Sequence, residues 1–265
     1  MINSYSQEEI ALIRQSGQIT HQVLEQVLQK VAPGMTTLEL DNYAEKLITQ
    51  AGGKPSFKME RGYHWATCLN VNDMVVHGIP TDYKLKEGDR LGVDLGTYYK
   101  GFHSDASWSV LVGSKSSNTR SLENGSGVRS LNDTLKFLHT GEKALENAIK
   151  QCLPGNHIGH ISKAIQDTVE GAGYSCVQQL VGHGIGRLLH EDPEIPCFLR
   201  GKIATTPLIK VGLVLAVEVI YNFGKSEVVY ENDDGWTIVT RDRSISGLFE
   251  HTLAVTEDGP VVLTL

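Results

Sequence analysis

Residues 86–94 read KEGDRLGVD, and residues 210–218 read KVGLVLAVE. Both follow one frame: lysine, a residue, glycine, two residues, leucine, a residue, valine, then a carboxylate. Each reads as a glycine turn followed by an alternating apolar strand that ends in an acid. A second matching unit lies upstream of each. Residues 23–53, VLEQVLQKVAPGMTTLELDNYAEKLITQAGG, give a helical pattern, a Pro-Gly break and a second helical pattern closed by glycines. Residues 144–174, ALENAIKQCLPGNHIGHISKAIQDTVEGAGY, repeat that plan. Gly34 and Gly155 are 121 positions apart, and Gly88 and Gly212 are 124 apart. Two amphipathic helix pairs could match by chance. The recurrence of helix pair, break and strand in one order at nearly one offset favours an internal repeat. The expected fold is α/β (α+β): one domain, residues 1–265, made of two pseudo-symmetric halves, roughly 1–113 and 131–265. Their strands would join in a curved antiparallel sheet covered by helices on its outer face. A site between the halves would receive one carboxylate from each. The Ser/Asn/Gly-rich segment 114–130 has no apolar period and reads as a flexible connector.

Bulk properties narrow the function. The formal net charge is -7, which argues against a nucleic-acid partner, because phosphate binding needs a basic surface. No apolar run reaches membrane-span length, and the start, MINSYSQEEIALIRQSGQ, lacks a secretory pattern. Cys68, Cys152, Cys176 and Cys197 show no paired spacing and read as reduced thiols of a cytoplasmic protein.

Four carboxylates fall inside predicted strands. In VDLGTYYKGFHSDAS (93–107) the run YYKG reads as a turn, so a hairpin brings Asp94 and Asp105 close across its strands. Glu218 lies in LVLAVEVIYN and Glu250 in GLFEHTLAV, each within an apolar run. Like charges placed together in a low-dielectric site need a cation between them. His183 and His190 lie in LVGHGIGRLLHEDP (180–193), where Gly182, Gly184 and Gly186 disfavour a helix. Alternating glycines suit an extended backbone approached closely by a metal, a substrate or another strand. An oxygen-rich set with one imidazole suits Mn, Fe, Co or Zn.

Five separated stretches, VVHGIP (75–80), GVDLGTYYKGFHSDAS (92–107), VGHGIGRLLHEDP (181–193), LAVEVIYN (215–222) and SISGLFEHTLAV (244–255), together resemble the methionine aminopeptidases of the pita-bread fold. The resemblance begins at EEIALIRQSGQI near the N-terminus. The short interval between His183 and Glu218 resembles the type I enzymes. The resemblance implies two divalent metal ions held by Asp94, Asp105, His183, Glu218 and Glu250, with Asp105 and Glu250 bridging. It implies that the glycines let the backbone pass close to this centre. It also implies that His77 and His190 bind the scissile peptide and that Glu218 relays a proton. Tyr63, Cys68, Leu189 and Trp236 would line the methionine pocket, with Phe57 as a further contributor. The implied substrates are N-termini of nascent polypeptides and peptides. The implied protein is a cytoplasmic monomer needing no nucleic acid or membrane, and the ribosome is a further partner the resemblance allows.

Two positions depart from the family pattern: Val219 replaces a proline after Glu218, and Leu189 replaces a phenylalanine before His190. Two other readings compete. An Xaa-Pro peptidase shares the fold and a similar metal set but generally carries an extra N-terminal domain. A non-catalytic binding protein of this fold would lack some of the five ligands.

Overall fold

The computed structural model describes residues 2–113, 122–124, 127–231 and 234–265. Helix α1 (Gln7–Lys30) opens on a capping box in which Ser6 and Glu9 satisfy each other's backbone N–H groups. It begins well before the periodic pattern at residue 23. The reason is its buried face, which includes Ser16, Gly17 and Thr20. Ser16 Oγ donates to Thr97 O at 2.7 Å, and Ser104 Oγ lies within hydrogen-bond distance of both Ser16 Oγ and Thr20 Oγ1. Small polar groups sit where the helix touches strand backbone, so hydrophobic period understates its length. Helix α2 (Thr37–Gln50) has a second capping box, Thr36 with Glu39. In the other half α3 (Leu131–Ile149) starts on Ser130 and Asp133 and packs against α4 (Ile158–Gly171).

The strands follow in chain order: β1 (Lys54–Pro55), β2 (Thr67–Val71), β3 (Met74–Val76), β4 (Arg90–Tyr99), β5 (Phe102–Leu111), β6 (Leu122–Asn124) and β7 (Gly127–Arg129). The second half adds β8 (Ser175–Cys176), β9 (Val181–Gly184), β10 (Glu191–Pro196), β11 (Val214–Asn222), β12 (Val228–Tyr230), β13 (Ile238–Thr240), β14 (Ser246–Thr256) and β15 (Gly259–Val262). Among the described residues, one antiparallel sheet runs β1-β4-β5-β14-β11-β9-β10, with β2 on β4, β8 on β11 and β15 on β14. The predicted connector is not wholly loop: β6 and β7 pair as a small hairpin, while 114–121 and 125–126 lie outside the described residues.

Corresponding positions of the two halves share a backbone conformation. Gly34 and Gly155 close the two helix–helix turns at φ +87° and +89°, and Gly88 and Gly212 precede β4 and β11 at +89° and +91°. These left-handed positions favour glycine. Helices α1 and α2 cover one half around Leu40, Ile48, Leu91, Val93 and Leu95, and α3 and α4 cover the other around Phe137, Ile161, Leu215, Val217 and Phe249. The halves meet where β5 pairs with β14, Glu250 opposite Ser107 and His251 opposite Ala106. Strand alternation does the rest. Val93, Leu95, Ala106, Val217, Val219 and Phe249 face the helices, so Asp94, Asp105, Glu218 and Glu250 face the other side.

Candidate metal centre and cleft

Each carboxylate is placed by strand register. In the β4–β5 hairpin, turned by Lys100 and Gly101, Asp94 is opposite Ser107 and Gly96 is opposite Asp105, so the two aspartates are diagonal neighbours. Glu218 and Glu250 are directly opposite across β11 and β14. His183 is opposite Ala216, two residues before Glu218. The ligand atoms of Asp105, His183 and Glu250 all lie within 4.8 Å of one another. Asp94 and Glu218 line the same cavity, of about 370 Å³, beside them.

The hydrogen bonds fix orientation. Thr252 Oγ1 donates to Asp105 O at 2.8 Å and accepts from Asp105 N at 2.9 Å. Ser109 Oγ bridges to Leu248 O and Leu248 N in the same way. Side chains thus stitch β5 to β14 on either side of the short paired stretch. His183 Nδ1 lies 2.9 Å from Gly184 O, so it carries the proton and Nε2 is left for the carboxylates. Asp94 Oδ1 and Asp105 Oδ1 are buried without a hydrogen-bond partner. Four carboxylates with two orphaned oxygens and a correctly oriented imidazole fit a divalent cation site.

The glycines answer to approaches the sequence allowed, another strand above all. A Cβ on Gly182 would lie 2.7 Å from Ala216 O, one on Gly184 would strike Asp192 O, and one on Gly186 would strike the Tyr5 ring. Neighbouring strands and the N-terminal segment approach here, and at Gly182 the approach includes the ligand set itself, because its Cβ would also lie 3.3 Å from Glu218 Cγ. Val219 leaves β11 continuous from Val214 to Asn222, so the missing proline causes no break.

The other walls of the cavity are Phe57, Tyr63, Cys68, Leu189 and Trp236, with His77 and His190 also on it. Tyr63 packs edge-on against Trp236 at 5.1 Å and Phe57 at 6.4 Å, and its hydroxyl donates to Thr67 O. Burial pushes the Tyr63 hydroxyl and the Cys68 thiol up, so both stay neutral. His190 is exposed at the mouth, its ring 4.5 Å from that of His183. His77 holds a left-handed backbone at φ +56° and stands edge-on to Trp236 at 6.1 Å. All the expected site residues therefore meet in one cavity. Sequence reasoning missed Glu60, Val76, Gln179, Leu180, Val181 and Ile220, which also line it. It also missed Asp41 on α2, whose Oδ1 accepts from Ala66 N, Thr67 N and Thr67 Oγ1 and so anchors the start of β2 before Cys68. The signal was there: an aspartate between Leu40 and Ala44 on the buried face of a helix.

Comparison with known proteins agrees with this geometry. The metallopeptidase family M24 model matches residues 11–257. The chain belongs to metallopeptidase family M24. Within M24 it is 40% identical over 265 residues to a methionine aminopeptidase of Clostridium perfringens, covering 100% of this chain and 99% of that one. The crystal structure of a Thermotoga maritima methionine aminopeptidase superposes with a TM-score of 0.89 at 36% identity, covering 100% and 99% of the two chains. The prolidase of Pyrococcus horikoshii shares the M24 fold at a TM-score of 0.75 and 19% identity, and this chain spans 63% of it. Enzymes of M24 are metallopeptidases, in keeping with the carboxylate–histidine cluster.

Electrostatics of this M24 cluster give a test. Desolvation, with no cation present, raises Asp105 to about 7; desolvation and the Asp105 charge raise Glu218 to about 8. Asp94 and Glu250 are raised well above the carboxylate range by burial and mutual repulsion. A folded-state pKa above the unfolded one means that the folded metal-free chain holds extra protons, so stability falls as pH rises through that window. Burial acts oppositely on the histidines, lowering His77, His103 and His251 to about 4, His183 to about 3 and His190 also, but that effect fades within about one pH unit above the free histidine value of about 6.5, as the imidazoles of the unfolded chain lose their protons. From about pH 7 to 8 the raised carboxylates outweigh this fading effect. Metal-free protein is therefore expected to lose melting temperature across that interval, and added divalent metal to stabilise it more at pH 8 than at 6.5. A flat or rising metal-free profile in thermal melts would contradict the clustering.

Proposed function

We propose that this chain is a single-domain, metal-dependent aminopeptidase that removes N-terminal methionine from nascent polypeptides and peptides when the second residue is small. The observation that carries this reading is the cavity, which joins four carboxylates and His183 to a wall of Phe57, Tyr63, Cys68, Leu189 and Trp236, the first four of them buried. Asp105, His183, Glu218 and Glu250 would hold one divalent ion, and Asp94, Asp105 and Glu250 a second. When bound, such ions supply Lewis acidity, lowering the pKa of a water and polarising a carbonyl. Glu218 accepts the proton of the attacking water and passes it to the leaving amine. His190 donates to the oxyanion that develops on the scissile carbonyl, and His77 orients the peptide from the opposite wall. The free α-amino group sits on the Asp94 side, which restricts cleavage to the first residue. The apolar wall shields the methionine side chain from water.

The setting proposed is a cytoplasmic monomer acting near the ribosome, where N-termini emerge. The four cysteines are free, and among the described residues no helix is long and apolar enough to cross a membrane.

An unbranched, polarizable methionine fits the Cys68-lined wall better than a shorter, branched leucine. Met-Ala-Ser is expected to be cleaved roughly 10–200-fold faster than Leu-Ala-Ser, the range set by about 1–3 kcal/mol of pocket contact. Met-Phe-Ser should resist, because the second residue lies against the metals and His77. A peptide panel with Mn, Fe, Co or Zn supplied measures this directly. Preferential cleavage of Arg-Pro-Pro would overturn the methionine reading in favour of an Xaa-Pro peptidase. Equal rates on the methionine and leucine peptides would show that Leu189 has loosened the pocket.

A further inference from the structure

We propose that Arg90 is a positioning residue for His77: its buried guanidinium gathers the main-chain carbonyls of the β2–β3 connection and thereby fixes the segment that ends on the cleft histidine. This rests on the proposed role of His77 in holding the peptide.

Arg90 is 1% exposed, at the start of β4 and four residues before Asp94. Its Nη1 donates to Asn70 O at 3.2 Å, and its Nη2 donates to Asn72 O and, at 2.7 Å, to Met74 O. Its main-chain N–H donates to Asn72 Oδ1 at 3.0 Å, and Asn72 Nδ2 donates to Asp89 Oδ1 at 2.9 Å. Asn72 O also accepts from Ser246 N at 3.0 Å, on the strand that carries Glu250. Three carbonyls therefore converge on one cation, and three residues later the chain reaches His77.

That connection needs a tether. Asn72 and His77 both hold left-handed backbone, φ +53° and +56°, each costing about 1–2 kcal/mol. On the far side of His77, Gly78 N donates to Asn70 Oδ1 at 2.8 Å. His77 is thus held from Arg90 on one side and from Asn70 on the other.

The repeat supplies an internal control. The position 124 residues on, at the start of β11, is Val214, which is buried. The sheet therefore does not require a charge there. Removing a cation from water costs several kcal/mol, so an arginine at a position where valine suffices calls for a reason beyond packing. Burial lowers the guanidinium to about 10, which leaves it charged at neutral pH. The other half holds its own cleft histidine differently. The carboxylate of Glu191, next to His190, accepts from Tyr5 Oη at 2.7 Å, Asn3 Nδ2 at 2.8 Å and Leu188 N at 3.0 Å.

The test is a double-mutant cycle on the full chain with metal supplied and Met-Ala-Ser as substrate. Arg90→Met keeps length and removes charge. It should lower kcat by roughly 10–100-fold, the usual effect of losing an orienting partner, with metal content unchanged. In a His77→Ala background the same change should cost less than about twofold, because the residue it positions is gone. Arg90→Lys, which keeps the charge but reaches fewer carbonyls, should give a smaller loss that also vanishes in the His77→Ala background. It carries the cycle alone if Arg90→Met does not fold. Equal losses in both backgrounds, or metal lost in step with activity, would overturn the role. A His77→Ala enzyme with unchanged kcat would instead remove the role of His77 itself, and the Arg90 assignment with it.

Discussion

Asp105→Asn is expected to abolish peptide hydrolysis and to leave the fold intact. Asp105 sits at the junction of the halves, and its backbone is held from both N–H and C=O by Thr252 Oγ1, whatever its side chain carries. Its Oδ1 has no hydrogen-bond partner to lose. Asparagine has the same shape and no charge. In the metal-loaded protein the missing charge is felt by every cation the site holds. Breaking a buried ion pair by removing one partner costs about 3–5 kcal/mol, or roughly 10²–10⁴-fold in metal affinity. In the metal-free protein the sign reverses. Removing one of four crowded carboxylates relieves repulsion on Asp94, Glu218 and Glu250, so Asp105→Asn should melt higher than wild type at pH 8 without metal. Three measurements settle it: turnover of Met-Ala-Ser, metal per chain after dialysis, and melts with and without chelator. Turnover above about a tenth of wild type with full metal content would sink the bridging assignment, since one lost oxyanion contact alone can cost more than that.

The two histidines of residues 183–190 are expected to fail differently. His190→Ala should retain its metal and lose rate by roughly 10²–10³, as expected for losing one oxyanion donor. His183→Ala should lose metal affinity as well. The difference follows from placement. His183 is buried, with its Nδ1 against Gly184 O and its ligand nitrogen within 4.8 Å of the Asp105 and Glu250 oxygens. His190 stands exposed at the cavity mouth. Metal content by elemental analysis, set beside kcat, separates the two. Equal metal content in both variants would show that the roles are wrongly divided.

Much of this was legible in the sequence because the site is built from strand register. Alternation puts every second residue on one face, so an acid within an apolar strand, such as Glu218 or Glu250, announces itself. The hairpin that brings Asp94 near Asp105 needed only its Lys100-Gly101 turn to be seen. The glycines around His183 were visible, and a neighbouring strand was one of the causes they allowed, but its identity was not: what approaches them is β11, the β10 backbone and the Tyr5 ring, contacts at sequence separations no local pattern encodes. The first half of α1 was obscured because Ser16, Gly17 and Thr20 face strand backbone instead of an apolar core. Arg90 gave no signal at all, since an arginine at a strand start reads as a surface residue until its three carbonyls are placed around it.

The duplicated sheet has a consequence for the direction in which a peptide can lie. Asn70 and His77 stand 113 residues before His183 and His190, and Cys68 stands 113 before Val181. Register agrees: Asn70 is opposite Gly92 and His183 opposite Ala216, each two residues before a carboxylate of the cluster. A cleft with true two-fold symmetry would accept a polypeptide in either sense, amine end left or amine end right. Here the mirror positions have diverged. One half offers an imidazole where the other offers an amide that is committed to Gly78 N, and the Tyr63 and Trp236 rings crowd the His77 side. Two equivalent halves would bind without polarity. The polarity of an aminopeptidase, amine first and one residue at a time, has its chemical counterpart in two halves that are alike in register and unlike in the side chains they turn to the cleft.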